Sequence, residues 1–178
     1  MSERSVLDAC CVQNLYATGA MPGILGALPY AFVIGTRCRG EAPWLKMEKP
    51  GEREAVDLAP LLHAGLLEEQ SLDGSLEMAL FVELSRQMED GEAEAAALAI
   101  NRGYCLATDE RKVRRILASS HRAPQIRTTS ELLHEWQIRS GLSDEVCGAA
   151  LKRVTFRASF SPPHSDKHRD WWLKLTQT

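Results

Sequence analysis

Short apolar runs alternate along the chain with amphipathic stretches of helical spacing. Residues 5–9 (SVLDA) are apolar and end in an acid, the pattern of a strand buried in a parallel sheet. Residues 11–17 read as a helix closed by Gly19, and residues 21–28 as a second, short helix. The β-rich run YAFVIG at 30–35 follows a proline and predicts the next strand. Residues 36–45 are expected to be helical up to Pro43, and polar residues 46–54, with Pro50-Gly51, to form a surface loop. Residues 56–67 read as helix then strand. Residues 75–88 read as a helix with Leu76, Leu80, Leu84 and Met88 on one face.

Residues 91–102 form an alanine-rich helical pattern stopped at Gly103, followed by the strand YCLAT at 104–108. Residues 109–119 are amphipathic, residues 125–128 read as a short strand after Pro124, and a helix starts at Ser130. The rest is mainly helical, broken at residues 161–163 (SPP). Strands alternating with helices predict an α/β fold, a three-layer α/β/α sandwich around a short parallel sheet. Residues 1–130 form that domain, and residues 131–178 a helical C-terminal extension packed on it.

The 178 residues and 44% hydrophobic content suit one domain with a real core, and 25% charged residues exclude wholesale disorder. No apolar run approaches the roughly 20 residues of a membrane span, so no membrane association is expected. The first residues lack the basic and apolar regions of a secretion signal. Five cysteines (Cys10, Cys11, Cys38, Cys105, Cys147) without a CxxC pair fit free thiols in a reducing cytoplasm better than a disulfide scaffold or cysteine zinc site. The net charge of −3 hides an asymmetry: residues 1–109 hold 8 basic and 17 acidic residues, residues 110–178 hold 13 and 7. The first part can hold cations and the second polyanions, although solvated helix faces would carry the same charges.

In parallel sheets, ligands bind beyond the carboxyl ends of the strands. Asp8 ends the first strand and Asp109 directly follows YCLAT, so both are expected at one edge. Glu92 opens the alanine-rich helix on the face of Ala95, Ala96 and Ala99, and Glu41 lies shortly after YAFVIG. Each has a plainer role open to it: a strand-end Asp caps turns, and a first-turn Glu favours the helix dipole. Clustered together, such carboxylates need a cation, and hard oxygen ligands select Mg²⁺ or Mn²⁺. Arg111, Lys112, Arg114 and Arg115, then Arg122 and Arg127, follow Asp109 and could grip a phosphate backbone. His164 and His168 are four apart and could meet on a helix, a spacing more often coincidental than ligating. Trp171-Trp172 could stack on bases, but suit a core cap or subunit contact better.

The segment VLDACCVQNLYATG resembles the opening of PIN-domain proteins, and DGEAEAAALAINRGYCLATDERKVRRILA resembles the second half of that domain more closely. The intervening FVIGTRCRGEA resembles the strand and helix that bring the second acid. The resemblance covers roughly residues 4–130 and points to the branch related to VapC-type toxins. It implies a PIN-like fold and a metal-dependent endoribonuclease using Mg²⁺ or Mn²⁺. The family's acidic quartet falls on Asp8, Glu41, Glu92 and Asp109, with Asp8, Glu92 and Asp109 as metal ligands. Glu94 and Asp90 are the alternatives to Glu92. Where the family commonly has Ser or Thr two residues after the first acid, this chain has Cys10. The resemblance further implies an RNA substrate, a homodimer and a toxin role with an antitoxin partner. Two other readings stay open: a non-catalytic PIN-like module that binds RNA or protein, and an unrelated phosphotransfer enzyme with an Asp nucleophile. The second lacks both an acid at position 10 and a phosphate-binding GxxxxGK[ST] loop.

Overall fold

The computed structural model describes residues 3–40, 44–47, 49, 51–119 and 122–177. The chain begins with β1 (Glu3–Leu7), α1 (Ala9–Ala17), α2 (Met21–Ala27), β2 (Tyr30–Gly35) and α3 (Thr36–Gly40). The middle holds β3 (Trp44–Lys46), β4 (Arg53–Ala55), α4 (Ala59–His63), β5 (Leu67–Gln70), α5 (Gly74–Leu84) and α6 (Asp90–Arg102). After these come β6 (Cys105–Ala107), α7 (Arg111–Ala118), β7 (Ile126–Arg127), α8 (Thr129–Ser140), α9 (Asp144–Arg157) and α10 (Arg169–Gln177).

Five strands form a parallel sheet in the order β5-β2-β1-β6-β7. Helices cover both faces, giving the three-layer α/β fold that the sequence predicts. Successive residues of one strand point to opposite faces, so each strand feeds two cores. Leu7 and Ile34 join α1, α2, α8, α9 and α10 on one side, while Val6 and Val33 join α5, α6 and α7 on the other. The alanines Ala93, Ala95, Ala96, Ala97 and Ala99 are buried, which lets α6 lie close on the sheet. The C-terminal extension belongs to the first core rather than standing apart: Leu132, Leu133, Leu151 and Trp172 are all buried in it. At Gly148 a Cβ would come within 2.5 Å of the Leu175 carbonyl oxygen, so α9 and α10 meet almost backbone to backbone.

Several expectations change. Of the helix expected over 36–45, Thr36–Gly40 is helical, residues 41–43 lie outside the described residues, and Leu45 is instead the buried centre of β3. Residues 46–54 are not all loop, since β3 pairs antiparallel with β4. In α5 the buried positions are Glu77, Phe81 and Leu84, and Leu76 is 78% exposed. The apolar stripe is rotated because Glu77 takes a place in it, paired with Arg102 at 2.7 and 2.8 Å. His164 and His168 do not share a helix; the His168 ring stacks on His134 at 4.3 Å between centroids. Trp172 is 1% exposed and therefore a core residue of this chain, not a subunit contact. Trp171 is half-buried against both histidines and donates Nε1–H to Gln137 at 2.7 Å. No described helix is long and apolar enough to cross a membrane.

Candidate active site

β1 sits at the centre of the sheet, with β2 and β5 on one side and β6 and β7 on the other. The chain therefore leaves β1 in one direction and later returns in the other, which opens a crevice at the carboxyl ends of β1 and β6. Asp8 and Asp109 follow those two ends, and the Asp8 N–H bonds the Ala107 carbonyl at 3.0 Å. The shared edge expected from the sequence is thus observed.

Asp8 is the N-cap of α1. Its Oδ1 accepts the Ala9 N–H at 2.7 Å, and its Oδ2 accepts the Thr108 hydroxyl at 2.8 Å and the Cys10 thiol at 3.5 Å. Burial pushes its carboxyl above the ordinary range, opposed by these donors, and the charge of Glu89 pushes the same way. Glu92 has a capping role too: it accepts the Glu89 N–H at 3.0 Å in a reciprocal capping box at the start of α6. Its carboxyl is also raised, first by burial and then by the charges of Asp8, Glu110 and Glu89. Glu92 therefore senses the charges of Asp8, Glu89 and Glu110, and Asp8 that of Glu89, at the ends of β1, α6 and β6.

Asp109 is oriented differently. Its Oδ1 accepts the Thr129 N–H at 3.0 Å, and its Oδ2 accepts Asn14 Nδ2–H at 3.0 Å, the Thr129 hydroxyl at 2.5 Å and the Cys11 thiol at 3.6 Å. Burial raises this carboxyl, and those donors oppose the rise. The acid at the end of β6 whose charge bears on Glu92 is the neighbour of Asp109, exposed Glu110. Reading the sequence alone missed Glu110, because Asp109 is drawn aside by Thr129 and Asn14, which lie far from it along the chain. Glu41 lies outside the described residues. Of the alternatives to Glu92, Glu94 is fully buried and structural. It accepts from Thr36 Oγ1 at 2.8 Å, the Arg37 N–H at 2.7 Å and Arg37 Nη1 at 3.0 Å. Asp90 is exposed on the first turn of α6.

The basic helix α7 begins next to this crevice. Val113 and Leu117 are its buried positions, which leaves Arg111, Lys112 and Arg115 exposed and Arg114 half-buried. None of the four has an ion-pair partner among the described residues, and Arg114 Nε is buried without a hydrogen-bond acceptor. Elsewhere many cations are matched, as in Arg102–Glu77, Arg127–Glu3 and Arg157–Glu54, while Arg53, Arg86 and Lys152 are also without an ion pair among the described residues. An open groove of about 790 Å³ runs along Cys10, Asp109, Glu110, Arg111 and Arg114, closed on its far wall by the segment from Ala158 to Ser165. A second depression, of about 610 Å³, lies between the β3–β4 hairpin and α9 and is lined by none of the crevice carboxylates.

Comparison with protein-family models, curated proteins and solved structures finds no match for this chain.

Proposed function

We propose that this chain is a metal-dependent endoribonuclease that hydrolyses RNA phosphodiester bonds at the β1/β6 crevice. The observation that carries the reading is an uncompensated pair of opposites. Carboxyls raised by burial and mutual repulsion lie at the crevice, and beside it starts a helix of cations without ion-pair partners among the described residues. Each half lacks what a phosphodiester with a divalent cation supplies.

The carboxylate oxygens at the crevice suit Mg²⁺ or Mn²⁺, with the Cys10 thiol beside Asp8 as the one soft donor next to them. Asp8, Glu92 and Glu110 would hold the ion, which would draw in carboxylates whose oxygens do not lie within 4.8 Å of one another as the Cys10, Cys11 and Asp109 donors do. When bound it neutralises phosphate charge and lowers the pKa of a coordinated water. The protein's own contribution is placement. Thr108 and the Ala9 N–H fix the Asp8 carboxylate, and the capping box fixes Glu92. A carboxylate held above its ordinary pKa is a competent acceptor for the proton of an attacking water. Arg111 and Arg114 border the groove that leads away from the crevice and would hold the flanking backbone.

A non-catalytic RNA-binding module is favoured by one observation: Asp109 is drawn toward Thr129, Asn14 and the Cys11 thiol, leaving one acid fewer for an ion held by Asp8 and Glu92. Incubating a mixed RNA pool with Mn²⁺ separates the two readings. Cleavage that is lost in Asp8→Asn and Glu110→Gln supports the nuclease; binding without cleavage supports the module. The toxin role is tested separately, by growth arrest on expression that Asp8→Asn relieves.

A further inference from the structure

Two thiols and a carboxylate converge at the floor of the groove. Cys10 and Cys11 lie in the first turn of α1, and Asp109 lies beyond β6. One donor atom from each lies within 4.8 Å of the others. Cys11 Sγ is 3.6 Å from Asp109 Oδ2, and Cys10 Sγ accepts the Asp109 N–H at 3.4 Å.

We propose that Cys10, Cys11 and Asp109 form a site for a thiophilic cation of the Zn²⁺ class, distinct from the all-oxygen donors at the crevice. Ligand chemistry makes the distinction: thiolates select Zn²⁺ and softer ions, whereas Mg²⁺ and Mn²⁺ prefer carboxylate oxygen. A disulfide is the poorer use of this pair. Adjacent Cα atoms across a trans peptide are about 3.8 Å apart, below the roughly 4.4–6.8 Å that disulfides span. Two adjacent thiolates can share an ion without that constraint. The carboxylate is held as metal-ligating carboxylates are held, with outer hydrogen bonds from Asn14 and Thr129 that fix its orientation.

Entry is provided as well. Cys10 and Asp109 line the groove, so an ion reaches them from solvent and its fourth position opens to water. On binding, each thiol releases its proton to solvent, and the S–H contacts to Asp8 and Asp109 are exchanged for sulfur–metal bonds. Cys10 Sγ is 3.5 Å from Asp8 Oδ2, so an ion held here sets a positive charge beside the first carboxylate of the crevice. Occupancy of the two sites is therefore antagonistic. The thiol site stands on its own geometry and does not need the nuclease reading.

The test titrates the reduced full-length chain with Co²⁺, the spectroscopic stand-in for Zn²⁺, without oxygen. The expected result is a thiolate-to-cobalt charge-transfer band that saturates at one equivalent, disappears on adding Zn²⁺ and accompanies release of two protons. Losing an outer partner of a metal ligand costs about 10–100-fold in affinity, so Cys10→Ser should weaken binding at least about tenfold. Cys105→Ser, at a buried thiol outside the cluster, should leave the band unchanged. Cys10 is half-buried, and far-UV circular dichroism checks that its variant folds. Absence of the band in the wild-type chain, which needs no variant, overturns the proposal. So does a band of equal strength in Cys10→Ser.

Discussion

Gly35 and Glu94 test how the sheet holds α6 in place. Glu94 enters the interior from α6 and binds the first residues of α3 through a hydroxyl, a backbone N–H and the Arg37 guanidinium. Removing one partner of a buried ion pair costs about 3–5 kcal/mol. Here the lower end applies, because the Arg37 side chain is 38% exposed and can return to water. Glu94→Ala should therefore lose about 3 kcal/mol. Gly35→Ala acts on the same contact from the other side, since an added Cβ would fall inside the Glu94 carboxylate. It must push that carboxylate off its partners, and overpacking alone costs about 1–3 kcal/mol. In the Glu94→Ala background the obstructing atoms are gone, so Gly35→Ala should cost close to nothing there. Urea unfolding of the four proteins, followed by circular dichroism, measures the coupling. An interaction of about 2 kcal/mol or more is expected. Additivity within about 0.5 kcal/mol would refute the argument that one close approach fixes α6 against β2.

The crevice carboxyls give a pH prediction whose sign follows from linkage. Asp8 and Glu92 have native pKa values above their unfolded ones, so the native state binds more protons and their contribution falls as pH rises from about 4 through the raised values. In chelator, the melting temperature of Glu92→Gln, which keeps the capping oxygen, should gain on wild type as pH rises from 4 to 7; a constant difference would show that repulsion is absent. Mn²⁺ should raise the wild-type melting temperature at pH 7 more than at pH 4, and an equal shift at both would remove ion binding by these carboxylates. Replacing Arg111 and Arg114 with Ala should flatten the salt dependence of single-stranded RNA binding by about 1.4 in log–log slope, from about 0.7 per phosphate contact; an unchanged slope returns them to a solvated helix face. Trp172→Ala should lose about 3–5 kcal/mol in urea unfolding because the ring is enclosed, and a loss under 1 kcal/mol would contradict its place in the core.

The central parallel strands were legible in the sequence because burial on both faces makes them nearly continuous apolar runs: YAFVIG at 30–35 has the observed bounds, while β1 begins and ends two residues before the expected 5–9 and the polar edge strand LEEQ at 67–70 carries no such run. The β3–β4 hairpin was not, since its strands are three residues long and Leu45 is their one fully buried position. The α5 stripe was misphased for a different reason. A glutamate matched by Arg102 can occupy a buried position, and a pattern of apolar letters alone does not count it. The edge carrying Asp8 and Asp109 was predicted from strand order, but the side-chain directions beyond it were not. Whether Asp109 or Glu110 faces the crevice depends on Thr129 and Asn14, and both are remote from it in sequence. The thiol cluster was invisible for the same reason: Cys10 and Cys11 acquire their third donor from a residue about a hundred positions away.

The pairing of β1 with β6 also sets when the crevice can exist during synthesis. β1 is made some hundred residues before β6, its neighbour in the sheet, and Thr129, which anchors Asp109, comes later still. Such distant pairings form late and slowly compared with local helices. A growing chain that has not yet reached Thr129 therefore carries Asp8 without the anchored Asp109 at the neighbouring strand end, and the crevice on which the proposed function depends is not yet assembled.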